Sequence, residues 1–172
     1  MANSHHRCTS VASELEGTLL ISGSLFPYFF LVALEAGGPL RALLLLAVYP
    51  LVALLGAAFS WDDLPLLAMT FLSTAGLDVG DVTAAARATL PRFFLADLRS
   101  SAFRALSRHA GGGERYVVTH LPRLVAEPFV REYLGADVRV VGTELRVVAG
   151  KRFSGTVVVA SPGVAAAAAG AD

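Results

Sequence analysis

Between Ala42 and Trp61 the chain carries no charged residue. Twenty residues of helix span about 30 Å, the thickness of a bilayer core. Such a run must be covered by protein or by lipid, and that choice constrains the rest of the fold. Pro50 lies at its middle and is expected to kink or break the helix, because proline lacks the amide donor and collides with the preceding turn. Upstream, Leu25 to Leu34 is apolar and rich in aromatics. Glu35-Ala36-Gly37-Gly38-Pro39 separates the two runs as a strong helix stop.

Composition sharpens this reading. Apolar residues make up 55% of the 172, above the roughly 45–50% of soluble globular chains. The excess collects in the first third, which points to membrane lipid as a partner. The net charge is zero and the arginines are scattered, so no basic field is available and nucleic acid is excluded as a partner. The single cysteine, Cys8, rules out an intramolecular disulfide and a zinc site of several cysteines. Residues 1–10 are expected to be a disordered N-terminus, and His5 and His6 lie on it. No cleavable signal peptide is visible, because the first apolar run is short and leads into Glu14 and Glu16. No cofactor is expected.

The remaining pattern alternates. Val11 to Leu20 reads as a short strand entering a turn at Gly17. Asp62 to Ala75 and Asp78 to Leu90 have helical spacing, and Leu95 to Leu106 is a further helix candidate. Gly111-Gly112-Gly113 marks a loop. Tyr116-Val117-Val118-Thr119 reads as a buried strand. Pro122 starts a helix with Leu124, Val125, Phe129 and Leu134 on one face. Val138 to Val148 gives one or two strands around Gly142, and Val157 to Ala160 another. Ala165 to Ala169 belongs to an Ala-rich tail, 164–172. Strand, long helical insertion, strand, helix, strand predicts an α/β sheet with a helical cap inserted after the first strand.

Ser13-Glu14-Leu15-Glu16-Gly17-Thr18-Leu19-Leu20 resembles the opening motif of haloacid-dehalogenase-like (HAD-like) phosphatases, Asp-x-Asp-Gly-Thr-Leu. In active members the first Asp is the nucleophile toward phosphate and helps hold Mg²⁺; the second is general acid and base. Glu14 and Glu16 stand at those positions. Each is one methylene longer than Asp. A misplacement near 1 Å can cost about a hundredfold in rate, and Mg²⁺ tolerates little departure from octahedral geometry. The resemblance therefore implies a vestigial Mg²⁺ site at Glu14 and Glu16 and no active catalytic residue. The plain alternative is two solvated carboxylates at a strand end. Thr119 matches the family's second motif, whose hydroxyl helps orient phosphate.

Longer blocks are similar to land-plant glycerol-3-phosphate acyltransferases of the sn-2, cutin and suberin type. They are Phe26-Pro27-Tyr28-Phe29, Leu34-Glu35-Ala36-Gly37-Gly38, Leu90-Pro91-Arg92-Phe93-Phe94, Val118-Thr119-His120-Leu121-Pro122-Arg123 and Val141-Gly142-Thr143-Glu144-Leu145. They come in family order. Members with Glu at both motif positions resemble those lacking phosphatase activity. The family's acyl-transfer motif, His-x-x-x-x-Asp, is absent: His109 is followed at that spacing by Glu114 and His120 by Val125. Both histidines read most simply as loop and strand-end residues. Lys151 comes too early for the third HAD-like motif.

The resemblance implies a truncated HAD-like Rossmannoid domain over 11–163, its sheet incomplete and the acyltransferase domain absent. Residues 19–60 form an apolar membrane hairpin or cap helices, 61–110 a helical cap and 115–163 the sheet core. In the hairpin arrangement Leu19–Ala36 and Leu40–Phe59 are two arms, with Glu35 and Arg41 pairing at the turn. In the other arrangement these helices are a buried cap. The implied role is the degenerate, membrane-associated front part of a glycerol-3-phosphate 2-O-acyltransferase. Acyl-CoA and glycerol 3-phosphate are partners of the full-length family only. The implied location is the endoplasmic reticulum membrane, with the mitochondrial membrane as the other candidate. A residual lysophosphatidate phosphatase and a small membrane protein of no family role are the alternatives.

Overall fold

The structure is a computed structural model describing residues 10–61, 63–108, 113–148 and 151–158. Four strands form one sheet in the order β1-β2-β3-β4: β1 (Val11–Glu14), β2 (Arg115–Pro122), β3 (Val138–Val148) and β4 (Arg152–Val158). β1 and β2 pair in parallel, with Val11 opposite Arg115 and Glu14 opposite Val118. β2 and β3 are also parallel, whereas β4 returns antiparallel on β3. Parallel strands need a crossover, and the one between β1 and β2 contains six α-helices among the described residues. Helix α7 (Arg123–Phe129) follows β2 and continues through a π-type turn, Val130–Leu134.

The six inserted helices are α1 (Phe26–Gly37), α2 (Pro39–Phe59), α3 (Leu64–Thr74), α4 (Val79–Ala88), α5 (Leu90–Asp97) and α6 (Ser100–Arg108). Proline stands in the first turn of α1, α2, α3 and α5, where its fixed φ suits a helix and its missing donor costs nothing. Asp78 caps α4 by accepting from the Gly80 amide at 2.7 Å, satisfying one of the otherwise orphan donors. An expected helix from Leu95 to Leu106 is instead two. The chain breaks at Leu98, which bridges Leu20, while the Arg99 amide donates to the Leu19 carbonyl at 2.7 Å. Helix α4 likewise stops at Ala88 rather than Leu90, which opens α5. The strand expected at Val157–Ala160 begins earlier, at Arg152, and residues 159 and 160 lie outside the described residues.

The core joins the sheet to one side of the insertion. Leu15, Leu19 and Leu20 are fully buried with Val117, Leu121, Phe129 and Val130. Helix α1 turns Tyr28, Phe29, Val32 and Ala33 into this core. The Tyr28 ring stacks on Phe94 at 4.6 Å, and Phe94 meets Phe129 at 4.8 Å, so aromatic contacts run from α1 through α5 to α7. One face of α1 is therefore core, while Leu34 and Glu35 on its other side are exposed.

Helix α2 differs. It runs unbroken for 21 residues, so Pro50 does not end it; Pro50 and Leu46, whose carbonyl loses its donor, are both on the exposed side. Among its side chains only those of Ala42 and Leu45 are buried, with Gly56. Leu40, Leu43, Leu44, Leu46, Leu51 and Leu54 are each at least half exposed. Arg41 does not pair with Glu35, as expected at the hairpin turn. Its guanidinium donates to the Ala75 carbonyl at 2.8 Å, at the C-terminal end of α3, where backbone carbonyls and the helix dipole favour a cation.

Candidate functional site

The site lies where β1 ends and β2 loses its regular ladder with β3. Glu14 closes β1 and is exposed. Its side chain makes no hydrogen bond or ion pair with a described residue. The next residues form a tight turn. The Leu20 amide donates to the Leu15 carbonyl at 2.8 Å and the Gly17 amide to the Ser22 carbonyl at 3.1 Å. Glu16 is extended (φ −77°, ψ 131°) and Gly17 has φ 73°, a left-handed conformation that favours glycine. This backbone reversal lets Leu15 and Leu19 enter the core while Glu16 projects toward β2.

On β2, pairing with β3 is regular through Val118 and resumes at Pro122 opposite Thr143. Such irregularities re-aim side chains near functional sites. Within the break, the Thr119 hydroxyl donates to Oε1 of Glu16. The Leu121 amide points to the same oxygen at 3.4 Å and to Thr119 Oγ1 at 3.0 Å. His120 Nδ1 lies 3.8 Å from the other carboxylate oxygen. The Glu16 side chain is only 8% exposed, whereas that of His120 is 68% exposed. A Cβ on Gly142 would come within 2.9 Å of Thr119 Cγ2 and 3.0 Å of the Leu121 carbonyl, so β3 approaches the break closely only because that residue is glycine.

A second anchor holds the turn from the other side. Asp97, at the end of α5, accepts from the Ser22 amide at 3.1 and 3.3 Å and from the Tyr28 hydroxyl at 2.8 Å. Burial, followed by this bond to Asp97 and the charges of Asp97 and Glu16, pushes the Tyr28 phenol well above its ordinary range. Tyr28 therefore stays a neutral donor.

The structure thus brings Glu16 and Thr119 together and leaves Glu14 apart, facing outward. Thr119 lies inside β2 at its irregularity rather than at the strand's end. His120, read from sequence as a plain strand-end residue, faces Glu16. The Leu121 amide was not foreseeable, since a backbone donor has no side-chain signature. Ser22, Tyr28 and Asp97 were also missed; the Phe26-Pro27-Tyr28-Phe29 block pointed only to Tyr28. The Mg²⁺ that the opening motif implies does not fit these residues. A hard cation needs several oxygen ligands, yet Glu16 is committed to Thr119 and Leu121. No group of three acidic, His or Cys side chains among the described residues could hold a metal ion. His109 lies outside the described residues.

A mixed sheet whose first three strands are parallel, with a helical cap inserted after the first and an acid-bearing turn facing a threonine on the next, defines a HAD-like α/β domain. Two solved structures share that fold. A protein of unknown function from Bordetella pertussis Tohama I superposes with a TM-score of 0.63 at 20% identity, covering 87% of this chain and 66% of that one. A phosphoserine phosphatase from T. onnurineus gives 0.51 at 17% identity, covering 92% and 68%. Residues 10–170 match the family described as "Glycerol-3-phosphate acyltransferase RAM2-like, HAD-like domain", and the chain belongs to that family. It is 41% identical over 137 residues to glycerol-3-phosphate acyltransferase RAM2 of Petunia hybrida, covering 80% of this chain and 28% of that protein. It is 43% identical over 137 residues to probable glycerol-3-phosphate acyltransferase 3 of Arabidopsis thaliana, covering 80% and 25%. The chain spans about a quarter of the length of these relatives.

Proposed function

We propose that this chain serves as the membrane-associated, N-terminal HAD-like part of a glycerol-3-phosphate 2-O-acyltransferase that makes precursors of extracellular lipid, cutin or suberin, at the endoplasmic reticulum. In this reading the domain docks and positions the enzyme. Acyl transfer from acyl-CoA to glycerol 3-phosphate belongs to the whole protein, because this sequence has no His-x-x-x-x-Asp to supply a general base held by a carboxylate.

The observation that carries the membrane reading is the outer face of α2 and α3. Helix α2 has a mean hydropathy of 2.4 over its most apolar window. Its exposed leucines continue onto Leu67 and Phe71 of α3, with Phe59 at the end of α2 and Trp61 between the two helices. A patch of this extent marks an interaction surface, and tryptophan favours the membrane interface. The packing favours α2 lying in one leaflet over a single crossing. β1 and β2 pair in one sheet, so the chain before α1 and after α6 shares a side. Helix α3, at 11 residues, is about 16 Å long and too short to return across a bilayer.

Liposome flotation of the full chain tests the proposal. The wild type is expected to float with phosphatidylcholine vesicles, and Leu43→Ser/Leu51→Ser/Leu54→Ser to remain largely at the bottom of the gradient. Clean solubility without detergent and no flotation of the wild type would contradict it.

A further inference from the structure

We propose that the rim of the exposed apolar face, where α2 begins and α3 ends, docks the headgroups of anionic phospholipids in a bilayer through Arg41, Lys151 and Arg152. The inference rests on the membrane reading and adds the lipid class that this rim selects. The basic residues are scattered in sequence, but the fold gathers these three. Helices α2 and α3 pack as a hairpin: Gly56 lies against Pro65 near one end, and Arg41 reaches the Ala75 carbonyl at the other. Strand β4 crosses that second end, where Gly155 lies close to Phe71 and Ala75. Arg152 Nη1 donates to the Gly76 carbonyl at 3.4 Å, so successive carbonyls after α3 hold two guanidinium groups. Lys151 precedes Arg152, and its own carbonyl accepts from the Val79 amide at 2.9 Å. The side chains of Lys151 and Arg152 are exposed, and that of Arg41 is half-buried.

These cations border apolar surface directly. Leu40, Leu44, Phe71, Leu72 and Ala75 line, with Arg41, a cleft of about 330 Å³, and Leu40 is 82% exposed. Because Gly37 has no Cβ, the aliphatic stem of Arg41 lies across the turn between α1 and α2. Such stems cover apolar surface while the charge stays at the water boundary. None of the three cations forms an ion pair with a described residue. The nearby acids are engaged elsewhere: Asp78 caps α4, and Glu35 and Asp81 line a separate cleft between α1 and α4. An apolar face edged by these cations complements a bilayer whose headgroups carry net negative charge. Each basic residue close to such a surface strengthens attachment about fivefold.

Flotation of the full chain with two kinds of vesicle separates this proposal from the reading beneath it. One kind is phosphatidylcholine alone, the other phosphatidylcholine mixed with phosphatidylglycerol. The wild type is expected to partition at least about tenfold better onto the mixed vesicles, and the gain should shrink in high salt. Arg41→Gln and Lys151→Gln/Arg152→Gln should lose about fivefold per charge removed on mixed vesicles, yet match the wild type on phosphatidylcholine alone. Arg104→Gln, which removes the same charge from the exposed side of α6, should change neither. The Lys151/Arg152 double variant alters only exposed side chains and keeps the test sound if Arg41→Gln fails to fold. A wild type that floats equally with both vesicles overturns this proposal and leaves the membrane reading standing. So does a loss in Arg104→Gln as large as that in Arg41→Gln. A wild type that floats with neither overturns both.

Discussion

The Thr119 hydroxyl donates to the Glu16 carboxylate across 103 positions of sequence. The bond closes the turn after β1 onto the irregular part of β2 and keeps a nearly buried carboxylate satisfied. Thr119→Val preserves shape but removes the donor. Leaving a buried carboxylate short of a partner costs about 1–3 kcal/mol or more. Urea unfolding should show that loss, and Thr119→Ser should recover most of it. Equal stability of Thr119→Val and wild type would contradict the geometry.

Gly142 is the second support of the same junction. A methyl group there meets Thr119 Cγ2 at 2.9 Å and the Leu121 carbonyl at 3.0 Å. One of these contacts is backbone and cannot rotate away. Overpacking of this kind costs about 1–3 kcal/mol. Gly142→Ala should lower the unfolding midpoint, and the Leu121 amide should exchange faster with deuterium. Unchanged exchange at Leu121 would show that β3 does not press on the site.

Acid stability depends on a pair at the other end of the sheet. Arg115 is nearly buried, and its Nη2 donates to Asp137 Oδ1 at 2.6 Å. This hydrogen bond, followed by one from the backbone of Asp137, holds the Asp137 carboxyl below its ordinary range. The unfolded chain therefore takes up the proton first as pH falls. The pair's contribution is complete above the unfolded carboxyl value, about 3.9, and is lost as pH drops through the lower folded value. Asp137→Asn should be less stable than wild type at neutral pH, with the gap narrowing in strong acid. A gap independent of pH would contradict this.

Much of the fold is legible in the sequence because its signals are local. The motif at residues 13–20 announces a strand followed by a sharp turn through Gly17. The absence of charge from Ala42 to Trp61 marks α2. The strand ending near Thr119 follows from its apolar run. What is not legible depends on distant partners. No Pro or Gly marks the break between α5 and α6; it arises because Leu98 and Arg99 bond to Leu20 and Leu19. Around Gly142 the sequence left one strand or two open; β3 is continuous, and the glycine serves close approach to Thr119. Arg41 seemed a partner for nearby Glu35, but the end of α3 offers a carbonyl in better position. At the site, the residue types of Glu16 and Thr119 could be read, but not that they bond to each other.

We propose that this HAD-like domain performs no phosphatase chemistry; the observation behind that reading is that its second acidic position is turned onto Thr119. The most direct measurement is Mg²⁺-dependent phosphate release from lysophosphatidate by the purified chain, run beside Glu14→Ala and Glu14→Asp/Glu16→Asp. All three should match the no-enzyme background, since restoring two aspartates does not by itself create a group of three metal-holding side chains among the described residues. Phosphate release by the wild type that disappears in Glu14→Ala would contradict the account and establish a residual phosphatase.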